Sequence, residues 1–170
     1  MNRSHETVLR AAESDRTPDR ILAGGVRPHS SADGPLAIRV GLDLVSVSSV
    51  AETLDGPDGE RYLRRVYTEQ EVRDCVRGGA IRPERLALRF AAKEAALKAL
   101  PVDGQGLSPR TLEVRTGDAG RVYLHLTGLA AELAATAGVV ELALSAACSR
   151  DYATAVVVAS YLERDGPADR

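Results

Sequence analysis

Leu36, Ile38, Val40, Leu42 and Leu44 alternate with Ala37, Arg39, Gly41, Asp43 and Val45. A period of two predicts a half-buried strand over about 36–45, with Asp43 on the face away from the leucine row. The spacing then turns helical. One helix is predicted over about 46–54, ended by Asp55-Gly56-Pro57-Asp58-Gly59, and a second over 60–66. Thr68-Glu69-Gln70-Glu71 has the spacing of a capping box, which starts a third helix running to Arg77 before Gly78-Gly79. Pro83 at a helix start and Pro101 beyond its end frame a long helix over about 83–100. The second half reads as strand 111–116, a turn at Gly117-Asp118-Ala119-Gly120, strand 121–126, a helix capped by Thr127 and ending near Gly138, then strands near 139–147 and 153–161. Helices gather in the first half and strands in the second, which predicts an α+β fold with a mainly antiparallel sheet.

The polar, Gly- and Pro-punctuated residues 1–35 lack this patterning and read as a flexible N-terminal extension. One domain over 36–162 and a short tail over 163–170 complete the expected organisation. No apolar run reaches the roughly 18 residues of a membrane span, and the N-terminus lacks the apolar centre of a signal peptide. A cytoplasmic protein is therefore expected. Cys75 and Cys148 lie far apart without CxxC spacing, so neither a disulfide framework nor a zinc site is implied.

Charge sharpens the picture. The net charge is −2, yet Arg61 to Lys98 holds ten basic residues against five acidic ones. A basic patch on an acidic protein points to an anionic partner that touches one face. The window has only Tyr62, Tyr67 and Phe90 as aromatics and no nucleic-acid motif, so a phosphate-bearing small molecule or an acidic protein suits it better than nucleic acid. The chain has twenty arginines and two lysines, and both lysines, Lys93 and Lys98, lie on the long helix. A compact ammonium is kept there where the chain otherwise uses a guanidinium.

At 100° per residue, Leu86, Phe90, Lys93 and Leu97 share one stripe of that helix, Glu94 sits on its shoulder, and Lys98 lies one turn beyond Glu94. Glu94 and Lys98 alone describe a surface pair worth about 0.3–0.5 kcal/mol. With Asp43 on the strand, two carboxylates on two elements could hold one Mg²⁺ that keeps its other positions for waters and phosphate oxygens.

Val40-Gly41-Leu42-Asp43-Leu44-Val45, Arg65-Val66-Tyr67-Thr68-Glu69-Gln70-Glu71 and Leu86 to Leu100, with Arg89-Phe90-Ala91-Ala92-Lys93-Glu94-Ala95-Ala96-Leu97-Lys98 at its centre, resemble the holo-acyl-carrier-protein synthases in order and spacing. These are the small single-domain 4'-phosphopantetheinyl transferases. The likeness continues through Leu107-Ser108, Leu112-Glu113-Val114 and Ser149-Arg150-Asp151-Tyr152-Ala153, and covers about residues 36–161. It implies the 4'-phosphopantetheinyl transferase fold, a sheet packed against a long central helix. It also implies Mg²⁺-dependent transfer of phosphopantetheine from coenzyme A to a serine of an acyl carrier protein. By motif position, Asp43 and Glu94 are then the metal carboxylates, and these two with Lys98 form the catalytic set. Lys98, Lys93 and Arg89 become the coenzyme A contacts, and Arg61, Tyr62 and Arg65 the contacts to the carrier. A homotrimer with the coenzyme A site between subunits follows from the same resemblance. Two positions depart from the pattern: Ser49 stands where relatives carry arginine, and Cys148 where they carry histidine. A non-catalytic relative that binds carrier or coenzyme A, and a metal-independent thioester-handling α+β enzyme, are the alternatives.

Overall fold

The computed structural model describes residues 36–100, 106–117 and 120–162. The expected extension and tail, Pro101, and Asp118-Ala119 of the predicted turn lie outside the described residues. Strand β1 (Leu36–Ser46) leads into α1 (Val47–Asp55), α2 (Gly59–Val66) and α3 (Glu69–Cys75). A two-residue ribbon, β2 (Val76–Arg77) and β3 (Ala80–Ile81), precedes the long helix α4 (Pro83–Ala99). A 3-10 turn (Pro109–Thr111), the hairpin β4 (Leu112–Thr116) and β5 (Val122–Leu126), α5 (Gly128–Thr136), β6 (Val139–Cys148) and β7 (Tyr152–Leu162) follow.

The strands form an antiparallel sheet in the order β1-β7-β6, with β4-β5 and β2-β3 as separate antiparallel pairs. Helix α4 lies across the three-stranded sheet, which is the α+β arrangement expected. Ser46 caps α1 through Ser49 N, and Thr68 and Glu71 form the capping box of α3. Helix α3 stops at Cys75, two residues before the predicted end, because Gly78 and Gly79 take positive φ and turn the chain into the ribbon. Thr127 stands at the start of α5 but makes no side-chain cap.

The face of β1 is reversed from what its leucine row suggests. Ile38, Val40, Leu42 and Leu44 are 58–62% exposed, whereas Gly41 is buried against α4. Helix α4 meets the sheet through Ala91, Ala92, Ala95, Ala96 and Ala99, all fully buried with Ala153, Ala155, Val157 and Ala159 of β7. This alanine ladder, and not the stripe of Leu86, Phe90, Lys93 and Leu97, is the deepest face of the helix. Small side chains let helix and strand backbones approach closely. The approach is so close that a Cβ at Gly41 would collide with the carbonyl oxygen of Ala95. Among the described residues no helix is long and apolar enough to cross a membrane.

Candidate active site

Where β1 crosses α4, the glycine that permits contact also sets the next side chain on that face, Asp43, beside the last turn of the helix. Lys98 Nζ donates to Asp43 Oδ1 at 2.7 Å and to Leu42 O at 3.1 Å. Thr154 Oγ1 of β7 donates to Asp43 O at 3.0 Å and steadies the strand at that residue. Glu94 lies half-buried nearby and has neither hydrogen bond nor ion pair among the described residues, so the expected Glu94–Lys98 pair gives way to Lys98–Asp43. Burial pushes the Glu94 carboxyl above its ordinary range, the Asp43 charge pushes it further, and Lys98 only partly opposes them. Two carboxylates thus share one ammonium. That imbalance suits a divalent cation, and the chemistry of the donor set narrows which. Among the described residues no three His, Cys, Asp or Glu side chains gather for a metal. The two oxygen donors fit a hard ion that retains waters, such as Mg²⁺, rather than one that needs a full protein cage.

The other residues of the expected set divide. Lys93 is fully buried, and its ammonium donates to Glu71 Oε2, Pro109 O and Leu112 O. An ammonium has three donors, so nothing remains for a phosphate. Lys93 is therefore corrected from a coenzyme A contact to an interior residue. Its head as well as its stem is enclosed. Burial lowers its pKa, and Glu71 works against that shift. Arg89 is also buried, reaching Asp74 Oδ2 at 3.5 Å and Thr116 Oγ1 at 3.0 Å, but its Nε has no partner among the described residues. Its Nη1 also donates to Arg85 O at 3.4 Å.

On α2, Arg61 and Arg65 are exposed one turn apart, while Arg64 pairs with Glu60 at 3.2 Å. Tyr62 is half-buried: its hydroxyl shares a 3.0 Å hydrogen bond with that of Tyr67, its ring meets Tyr67 edge-on, and Phe90 lies beside it. Burial and the nearby Glu94 charge raise its pKa against the Tyr67 hydrogen bond. The tyrosine thus links the arginine face to α4 more than it extends that face. Ser49 is exposed on α1. Cys148 is exposed at the end of β6, and its Sγ contacts Glu84 O at 3.3 Å and Ser149 O at 3.2 Å. Burial followed by the Glu84 charge raises that thiol's pKa, so it is a weak nucleophile.

Sequence reasoning missed two acids. Glu71 was visible only as a capping-box residue, yet it is fully buried and also holds Lys93 and Val114 N. Glu113 accepts from Thr68 Oγ1 at 2.8 Å and from Arg115 Nε at 2.6 Å. Neither link has a local signature, since 22 and 45 residues separate Lys93 from Glu71 and Glu113 from Thr68.

A profile of the 4'-phosphopantetheinyl transferase superfamily matches residues 39–157. A holo-acyl-carrier-protein synthase of Chloroflexus aurantiacus is 41% identical over 131 residues, covering 70% of this chain and 95% of its own. The apo-ACPS structure of Chronobacterium ammoniagenes aligns with a TM-score of 0.65 at 34% identity, over 76% of this chain and 100% of that one. The ACPS-CoA complex of the same organism gives 0.65 at 33% identity, over 75% and 99%. Sequence and fold agree, and the chain belongs to the 4'-phosphopantetheinyl transferase superfamily, among the holo-acyl-carrier-protein synthases.

Proposed function

We propose that this chain transfers the 4'-phosphopantetheine group of coenzyme A to a serine of an apo acyl carrier protein, giving the holo carrier and adenosine 3',5'-bisphosphate. The observation that carries the reading is the meeting of Asp43, Glu94 and Lys98 at the β1–α4 crossing, with Glu94 unpartnered beside a second carboxylate. In this reaction the serine oxygen attacks the β-phosphorus, and negative charge spreads over the non-bridging oxygens. Catalysis is then mostly positioning and charge neutralisation. Asp43 and Glu94 are the residues that would hold Mg²⁺, which when bound supplies positive charge to the pyrophosphate. Lys98, already oriented by Asp43 Oδ1 and Leu42 O, presents a half-exposed ammonium to the same phosphates. Arg89, buried against Asp74 and Thr116, is not counted among the phosphate contacts.

Arg61 and Arg65 form the face for the acidic carrier, with Tyr62 behind them. The exposed row of Ile38, Val40, Leu42 and Leu44 supports self-association, because so long an apolar strand face is costly to leave in water, and the family resemblance makes the assembly a homotrimer. Residues 36–162 are the transferase domain in this reading, with an extension over 1–35 and a tail over 163–170, and the enzyme works in the cytoplasm. Mass spectrometry of apo carriers incubated with the protein, coenzyme A and Mg²⁺ tests the activity. A gain of one phosphopantetheine on a fatty-acid or a polyketide carrier is expected, and whichever carrier responds assigns the pathway. No gain across such a panel overturns the reading. For assembly, sedimentation should give a trimer, and Leu42→Asp should give a folded monomer.

A further inference from the structure

Four elements meet at one buried ammonium. From α4, Lys93 donates to Glu71 Oε2 of α3 at 2.9 Å, to Pro109 O of the 3-10 turn at 2.8 Å and to Leu112 O of β4 at 3.0 Å. Glu71 is equally committed. Its Oε2 also accepts from Thr68 N at 2.8 Å, and its Oε1 accepts from Val114 N at 2.9 Å. The Tyr67 ring lies 5.9 Å from the ammonium, and the Tyr67 hydroxyl joins Tyr62 of α2 to Leu86 O of α4. The 3-10 turn packs against α2 as well. On one side of this knot is α4, with Glu94 the next residue; on the other are the segments that carry Arg61 and Arg65.

An ion pair needed only to fill the interior has a cheaper substitute, since apolar side chains of similar volume often replace buried pairs without loss. What apolar packing lacks is fixed direction. The opposite surface of α4 is the alanine ladder, and a surface of methyl groups offers shallow ridges to resist sliding or rotation. The three bonds of Lys93 run to oxygens on three separate elements and oppose both motions. We infer that Lys93 and Glu71 are positioning residues that fix the register of α4, and through it the placement of Glu94 and Lys98 against Asp43 and the α2 face. The inference rests on the transferase reading.

The test is Lys93→Met combined with Glu71→Gln, which removes both charges while keeping volume and an acceptor for one of the two neighbouring backbone N–H groups. The folded double variant should keep its carrier KM within about two-fold, because Arg61 and Arg65 are untouched, while kcat falls about 10²-fold from misplacement of the reacting groups. A folded double variant with the parent's kcat overturns the inference. If the double variant does not fold, Glu71→Gln alone is measured; a kcat about 10-fold below the parent supports the inference, and a parental kcat overturns it. If the parent itself transfers nothing to any carrier, the transferase reading has failed separately. Calorimetry with coenzyme A and Mg²⁺ then decides: binding to the variant weakened about 10-fold supports positioning, and unchanged binding, or none to either protein, overturns it.

Discussion

Helix α4 offers two lysine–carboxylate contacts of nearly equal length, 2.9 Å for Lys93–Glu71 and 2.7 Å for Lys98–Asp43. The first pair is wholly enclosed, whereas the Lys98 and Asp43 side chains are 52% and 17% exposed. Their saturation differs too: Lys93 has spent every donor inside the protein, but Lys98 sits among two carboxylates and open solvent. Distance therefore says little about what an ion pair is for. The bonds left over, and the charges left unbalanced around them, separate a pair that holds the fold from one that waits for a ligand.

Removing one partner from each pair should break the comparison most widely. Lys93→Met leaves the Glu71 charge buried and should cost about 3–5 kcal/mol, read as a large fall in Tm. Lys98→Met removes an exposed partner and should cost less than about 1 kcal/mol. Activity should reverse the order: Lys98→Ala is expected to lower transfer roughly 10²–10³-fold in a fixed-time carrier assay while melting close to the parent. A smaller effect should follow at the strand that serves the open pair. Gly41→Ala forces β1 off α4, with an expected loss of about 1–3 kcal/mol and reduced transfer through displacement of Asp43.

The smallest effect concerns Glu94 and depends on pH. Its carboxyl, raised by burial and then by Asp43, is more easily protonated in the folded chain than in the unfolded one. The charged form therefore lowers stability at neutral pH. That cost is relieved as pH falls through the raised folded value and is gone below the ordinary value of 4.5. Glu94→Gln should melt above the parent at neutral pH, converge with it in acid, and lose transfer at every pH. A constant Tm difference from neutral to acid would contradict this account. Saturating Mg²⁺ should narrow the neutral-pH difference if the parent alone binds the ion.

Much of this was legible in the chain. Periodicity located the elements because each buries one face at its own period, and Asp43, Glu94 and Lys98 stood out because charge beside an apolar face needs a reason. Period two, however, does not say which face of β1 turns inward. The larger residues suggested one answer, and Gly41, an isolated glycine within a strand, held the other. Lys93 resisted for a different reason, since its carboxylate partner is on another helix and already had a complete local explanation as a capping residue. Non-local satisfaction of a buried charge leaves no mark in the spacing of either residue.

The alanine ladder has a consequence for how this protein can change. Apart from glycine, alanine is the smallest residue, so almost any substitution on that surface adds volume where there is no room for it. Variation in α4 that keeps the packing is then confined to part-buried positions such as Leu88, Phe90 and Leu97. A helix that cannot drift on its inner side holds Glu94 and Lys98 in place while such outer positions change, so the tightest packing in the molecule insulates the site from its own helix.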